Sequence, residues 1–306
     1  MPMHPQSTTR DRFRTRLSGW LRLEDRCVPD ATVTTLADSG SGSLRDALAG
    51  TESVIRFQDG LTGTISLATT LQVDRDVTIR GPGAGSLTVS GNHLVQVMTV
   101  HAGRTASISG LTIANGAHTA PGDPSGGGIS NAGTLTLDRV VVTGNTTSSG
   151  ITDNGAGIFS SGTLTVTNSA ILNNRASTAG SGGGIYSNGN LTLTNCTIAD
   201  NFAKFNAGVT LVADSGTTST VTNCTIALNV AAFDTGGMAV LDGGANPGPV
   251  AIRNTLVIDN GTQFDGNPNF GHSNTNNPNT TLDHNYIGGE HGLDTQRGAT
   301  DNGGPT

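Results

Sequence analysis

Cys196-Thr197-Ile198-Ala199-Asp200-Asn201 returns 28 residues later as Cys224-Thr225-Ile226-Ala227-Leu228-Asn229. Looser copies run from Ser169 to Asn174, Val140 to Asn145 and Thr255 to Asn260, and Gly110-Leu111-Thr112-Ile113-Ala114-Asn115 belongs with them. The closing asparagines Asn145, Asn174, Asn201, Asn229 and Asn260 are spaced by 29, 27, 28 and 31 residues. Ahead of them lie alternating runs such as Leu135-Thr136-Leu137, Leu164-Thr165-Val166 and Leu191-Thr192-Leu193. Further upstream sit glycine turns with an apolar partner: Gly128-Ile129, Gly157-Ile158, Gly184-Ile185, Gly208-Val209 and Gly237-Met238.

Each repeat thus holds about three short strands of period two, divided by Gly, Asn and Asp turns. No 3.6-residue pattern is long enough for a crossover helix. A chain that returns to its start every 27 to 31 residues stacks each strand on its own copy, about 4.8 Å away. Inward residues then form aliphatic columns, Ile171 over Ile198 over Ile226 and Leu137 over Val166, Leu193 and Val221. A single coil cannot bury its inward face, so stacking makes the core. The expected fold is therefore all-β: a right-handed parallel β-helix with coils of about 28 residues over 31–260 and a short N-terminal capping helix. A leucine-rich repeat has an overlapping period. It needs a helical or leucine-bearing convex side, whereas here the connections are of the kind Ala176-Ser177-Thr178-Ala179-Gly180-Ser181-Gly182.

Composition agrees. Of 306 residues 44 are glycine, charged residues make up 13% and aromatics 4%, far from an ordinary globular core. The net charge is −7, and the basic residues include a single lysine, Lys204. Six arginines fall in residues 1–30 against four acids, which makes that leader about +2 and the rest about −9. An acidic body has no electrostatic footprint for nucleic acid. No run of 18 apolar residues marks a transmembrane segment, and Leu17-Ser18-Gly19-Trp20-Leu21 is too short for a signal-peptide core.

Ser43-Leu44-Arg45-Asp46 reads as a capping-box variant opening a helix over about Leu44–Ala49, with Leu44, Ala47 and Leu48 on one face to cover the first coil. The first strands are expected at Ser53–Phe57, Thr64–Leu67 and Asp76–Ile79. Residues 261–306, rich in Asn, Gly and Pro, form a tail beyond the last coil.

On these residues the chain resembles the right-handed parallel β-helix superfamily that includes pectate lyases and bacterial surface proteins. Gly182-Gly183-Gly184-Ile185 with Ile198-Ala199-Asp200-Asn201 is similar to the repeat pair of the polymorphic outer-membrane proteins, whose second motif starts with Phe where this chain has Ile171, Ile198, Ile226 or Val257. Leu23-Glu24-Asp25-Arg26, followed by Val33–Gly40 and Ser43–Leu48, resembles the start of large planctomycete surface proteins. The tail Asp301-Asn302-Gly303-Gly304-Pro305-Thr306 is similar to the opening of a choice-of-anchor Q terminal motif, which implies a truncated gene product or a fragment. These resemblances imply an extracellular or cell-surface location, with polysaccharide or other envelope components as partners.

Candidate sites follow from the stacking. The asparagine column is expected to form a structural ladder of amides bonding along the axis. Cys196 and Cys224 hold equivalent places, where buried thiols in a core column fit better than a disulfide or metal pair. Cys27 in the leader is a candidate attachment or processing point. Phe159 and Tyr186 each follow an inward isoleucine, so they should face outward as an exposed pair able to stack against sugar. Cleavage of a polysaccharide needs an acid/base pair or an acidic calcium cluster. Asp200 and Asp259 are equivalent, but Asn173 and Leu228 interrupt that column. Arg139, Arg175 and Arg253 are scattered, His272, His284 and His291 fall in the tail, and Asp242, Asp265 and Asp283 lack calcium-loop spacing. No catalytic residue, metal or cofactor is expected. The sequence favours a non-enzymatic structural or adhesive module, with a polysaccharide lyase or hydrolase and a carbohydrate-binding module as alternatives.

Overall fold

The computed structural model describes residues 30–119, 126–148, 154–176, 179–244, 246–264, 269–272 and 279–288. The leader motif with Cys27, the terminal motif, Asp265 and His291 lie outside these residues. Four parallel sheets run along a common axis. Sheet A has ten strands, from Ala31–Val33 to Thr280–Asp283, and sheet B nine, from Gly63–Ser66 to Tyr286–Gly288. Sheet C has eight, from Leu71–Val73 to Phe270–His272. Sheet D has six very short ones, from Ala117–His118 to Gly261–Thr262.

One coil shows how the sequence makes the turn. Thr163–Thr167 lies in A, Ala170–Leu172 in B, Arg175–Ala176 in D and Ile185–Ser187 in C. Register is carried by the inward residues: Ile108 pairs with Leu137, then Val166, Leu193, Val221, Ile252 and Leu282, at intervals of 29, 29, 27, 28, 31 and 30. In B, Ile113, Val142, Ile171, Ile198, Ile226 and Val257 follow one another. All of these are buried. A one-residue slip would turn every such column out to water, so the alternation itself fixes the register.

Three differences from the sequence reading stand out. Each later coil has four strands, because sheet D adds pairs such as Thr146-Thr147 whose inward residues are the small Ala176, Ala203 and Ala231. The first coil contains Leu71–Val73 as well as Val54–Phe57 and Gly63–Ser66. The stack also continues past residue 260: Phe270–His272, Thr280–Asp283 and Tyr286–Gly288 pair with the coil before them.

The helix α1 spans Leu44–Ala49, as the capping signal indicates, with Ser43 Oγ accepting from the Asp46 N–H at 3.1 Å. The Asp46 carboxylate reaches the Gly42 N–H rather than that of Ser43, so the box is not reciprocal. Leu44 and Leu48 join the core and Ala47 packs on it. Arg75 donates to the carbonyls of Ala47, Leu48 and Glu52 at 2.8, 3.1 and 2.6 Å, satisfying the end of a helix too short to persist alone.

From residue 105 onward, two corners have constant length. Two residues separate each A strand from the following B strand, as Arg139-Val140 separates Thr134–Asp138 from Val141–Thr143. Two also separate each B strand from D, as Gly144-Asn145 does. The other connections vary: D-to-C strand starts lie 7 to 12 residues apart, and C-to-A starts 5 to 12.

Candidate functional site

Both constant corners turn through a residue in the left-handed region. At the A-to-B corner these are Gly110, Arg139, Asn168, Asn195, Asn223, Asn254 and His284, with φ between 48° and 66°. At the B-to-D corner they are Asn115, Gly144, Asn173, Asp200, Leu228 and Asp259, over the same range. Gly, Asn and Asp adopt this backbone most readily, whereas Arg139, His284 and Leu228 hold it at a cost. The column holding Asp200 and Asp259 is therefore a record of backbone conformation, not an interrupted acid array.

The second residue of the B-to-D corner is the ladder asparagine. Asn145, Asn174, Asn201, Asn229 and Asn260 are buried, and each accepts through Oδ1 from the coil before it. Each Nδ2 also reaches a carbonyl one coil back, as Asn201 does to Ile171 at 3.0 Å. The amide-to-amide bonds all run one way along the axis, and those to the carbonyls run the other. Beyond Asn260 the next rung is Asn269, nine residues on, which accepts from both the Asn260 N–H and Nδ2 at 3.2 and 3.1 Å. Sequence spacing did not reveal that rung, because it breaks the period.

The second residue of the A-to-B corner forms a second internal ladder. Val140 donates its N–H to Ser169 Oγ, Cys224 to Thr255 Oγ1 and Thr255 to Asn285 Oδ1. Between them the Ser169 N–H meets the Cys196 thiol, and the Cys196 N–H meets the Cys224 thiol. Cys196 and Cys224 are free and buried, and each Sγ also turns back to the carbonyl two residues before it, at 3.3 Å. The hydrogen bond with Cys196, and then burial, push the Cys224 thiol up. The pair is the sulfur section of a polar ladder, and no cluster of three or more metal-ligating side chains occurs among the described residues.

Phe159 and Tyr186 do pair in register on sheet C, outside the isoleucine column. Their rings are stacked, with centroids 5.6 Å apart and planes 8° apart. They are not an exposed pair. Phe159 is only 7% exposed, because the glycine turns fold back over the outer face of this sheet. A Cβ on Gly155 would lie 2.8 Å from Phe159 Cα, and one on Gly182 2.9 Å from Tyr186 Cβ. Burial, and secondly the Asp214 carboxylate, push the Tyr186 phenol up. The stacked faces are also those a sugar would need.

An open groove of about 730 Å³ lies instead along the A-to-B corner. Gly81, Pro82, Gly83 and Ala84 wall one end, because the chain takes six residues to pass from Val77–Arg80 to Leu87–Ser90 where later coils take two. Arg139, Asn168 and Asn195 line its length. Asn195 Nδ2 donates to Asn168 Oδ1 at 3.2 Å, and Asn168 Nδ2 to Asp138 Oδ1 at 2.9 Å. Thr167 Oγ1 donates to the same Asp138 oxygen at 3.0 Å, and Arg139 pairs with the other at 2.5 Å. Donation from Asn168 first, then from Thr167 and the Arg139 charge, outweighs burial and holds the Asp138 carboxyl below its usual range. Such a group is a fixed acceptor and a poor general base.

Sheet D carries a feature the sequence reading missed. Phe205 and Phe233 pair in register, and Phe264 continues the column, with centroids 5.9 and 5.0 Å apart. Arg175 lies 4.0 Å over the Phe202 ring and Lys204 5.2 Å over that of Phe205. The signal was present, since Phe205 and Phe233 are one repeat apart.

Among the described residues no helix is long and apolar enough to cross a membrane. Over 100 residues the chain is 39% identical to a protein named "Probable pectate lyase C" from Emericella nidulans, an alignment covering 28% of this chain and 23% of that protein. The chain thus spans under a quarter of that relative's length. A family model described as "Right handed beta helix region" matches residues 88–287, more than half of the chain and the same stretch that carries both ladders. By coil, corner and match alike, the chain belongs to the right-handed β-helix family.

Proposed function

We propose that the chain is a non-enzymatic structural or adhesive β-helix module of the cell surface or extracellular space, whose lateral faces engage polysaccharide or other envelope components. One observation carries this reading. The carboxylate of Asp138, bonded to the groove-lining Asn168 and Arg139, has one oxygen filled by Asn168 and Thr167 and the other by Arg139. It is arranged for recognition, not for proton transfer. The carboxylates of Asp200 and Asp259 stand at left-handed corners, with Leu228 in the coil between them.

The similarity to a protein named as a probable pectate lyase favours a second reading, a polysaccharide lyase. The two separate cleanly. Purified full chain is incubated with neutral and acidic polysaccharides, with and without calcium, and reducing ends and unsaturated products are measured beside retention on immobilised glycan. Retention without product supports the module. Product from any substrate overturns it in favour of the enzyme.

A further inference from the structure

Within the A-to-B corner column Arg139 and His284 depart from Gly and Asn, and of the two Arg139 lines the groove. Its equivalents are Gly110, Asn168, Asn195, Asn223, Asn254 and His284, and the left-handed backbone there favours Gly and Asn over a long side chain. Strain of this kind persists where the residue serves something other than the fold. The position is also the one where the corner becomes a groove, closed at one end by the turn Gly81–Ala84.

Arg139 spends one donor on Asp138 and is 69% exposed along its side chain, so its remaining donors face the groove and solvent. Asp138 is anchored by Asn168 and Thr167 from the next coil, so the charged pair is held in place before any ligand arrives. Donor and acceptor stand side by side, with Asn168 and Asn195 extending the row at coil spacing. The pair sums to zero charge in a protein of net charge −7, which disfavours an acidic ligand.

We propose that this groove binds a neutral, hydroxyl-rich oligosaccharide, with Arg139 donating to one hydroxyl oxygen and Asp138 accepting from its neighbour. The strand spacing repeats the amides of Asn168 and Asn195 along the bound chain. This inference rests on the reading of the chain as a polysaccharide-engaging module.

The test uses the full chain and four probes: cellohexaose, xylohexaose and mannohexaose as neutral glycans, and oligogalacturonate as the acidic one, followed by saturation-transfer NMR and calorimetry. Arg139→Asn installs the residue held at Asn168, Asn195, Asn223 and Asn254, so the variant should melt no lower than the parent. We expect binding of at least one neutral probe, weakened 10-fold or more by Arg139→Asn and by Asp138→Asn. Neutral binding untouched by Arg139→Asn overturns the site while leaving the module reading intact, and a loss on Tyr186→Ala or Phe233→Ala would then place the glycan elsewhere. Binding confined to oligogalacturonate overturns the ligand class. No binding of any probe overturns both this inference and the polysaccharide part of the proposed function.

Discussion

Asn229 Oδ1 accepts two hydrogen bonds from Asn201, one from its main-chain N–H at 3.1 Å and one from its side-chain amide at 2.8 Å. Both donors are buried, and the corner that precedes each asparagine removes the strand partner the N–H would otherwise find. The amide oxygen therefore replaces a missing sheet bond.

Asn201→Ala removes the acceptor that serves the Asn174 N–H and Nδ2, both at 3.0 Å. Two buried donors lose their partner, at about 1–3 kcal/mol each. We expect a loss of about 3–5 kcal/mol by urea denaturation. A change below about 1 kcal/mol would mean that water enters the corner and the ladder is dispensable.

Leu228 occupies a left-handed corner at φ 59° with its side chain 53% exposed. The backbone cost is about 1–2 kcal/mol and little burial offsets it. Leu228→Asn, the residue two coils earlier at Asn173, should raise stability by about 1 kcal/mol and the melting temperature by roughly 2–4 °C. Calorimetry showing no gain would mean that Leu228 makes a contact worth as much as the strain.

Cys196 stands in a ladder whose other members include Ser169 and Thr255, so an oxygen acceptor is already tolerated there. Cys196→Ser should change stability little. Cys196→Val leaves the Ser169 N–H unpaired and should cost about 1–3 kcal/mol. In the native protein neither thiol should react with an aromatic disulfide reagent until the coil opens. Prompt labelling would contradict the burial.

Asp138 has a lowered folded pKa, caused first by the Asn168 hydrogen bond. A depressed carboxylate contributes stability above its unfolded value of 3.8, and that contribution is lost as pH falls through the folded value. Carbon-detected NMR should find the Asp138 midpoint below the unfolded value of 3.8. Asn168→Ala should bring its midpoint back up, and an unmoved midpoint would reassign the cause to Arg139.

Much of this architecture is readable from residue order, because a solenoid writes each contact at a fixed separation. Ile171, Ile198 and Ile226 announce their own column, and so do the five asparagines. What escaped reading had local causes. Strands as short as Thr146-Thr147 cannot show alternation, so sheet D was invisible. Asp200 and Asp259 read as an interrupted column, and only the φ angles show them to be turn formers. Phe159 follows an inward isoleucine and does point out of the coil, but the cover over it comes from glycine turns whose path no periodicity specifies. Arg139 seemed scattered because its meaning depends on a turn at Gly81–Ala84, over fifty residues earlier.

The constancy of the two-residue corners and the freedom of the other two connections divide the molecule by evolvability. A one-residue insertion at a fixed corner would invert the faces of every residue behind it. Insertions of any length between sheets D and C, or C and A, change only what hangs from the surface. One flank is a gauge that holds each coil to its neighbour, and the opposite flank is where new recognition can be spliced in without the core registering the change.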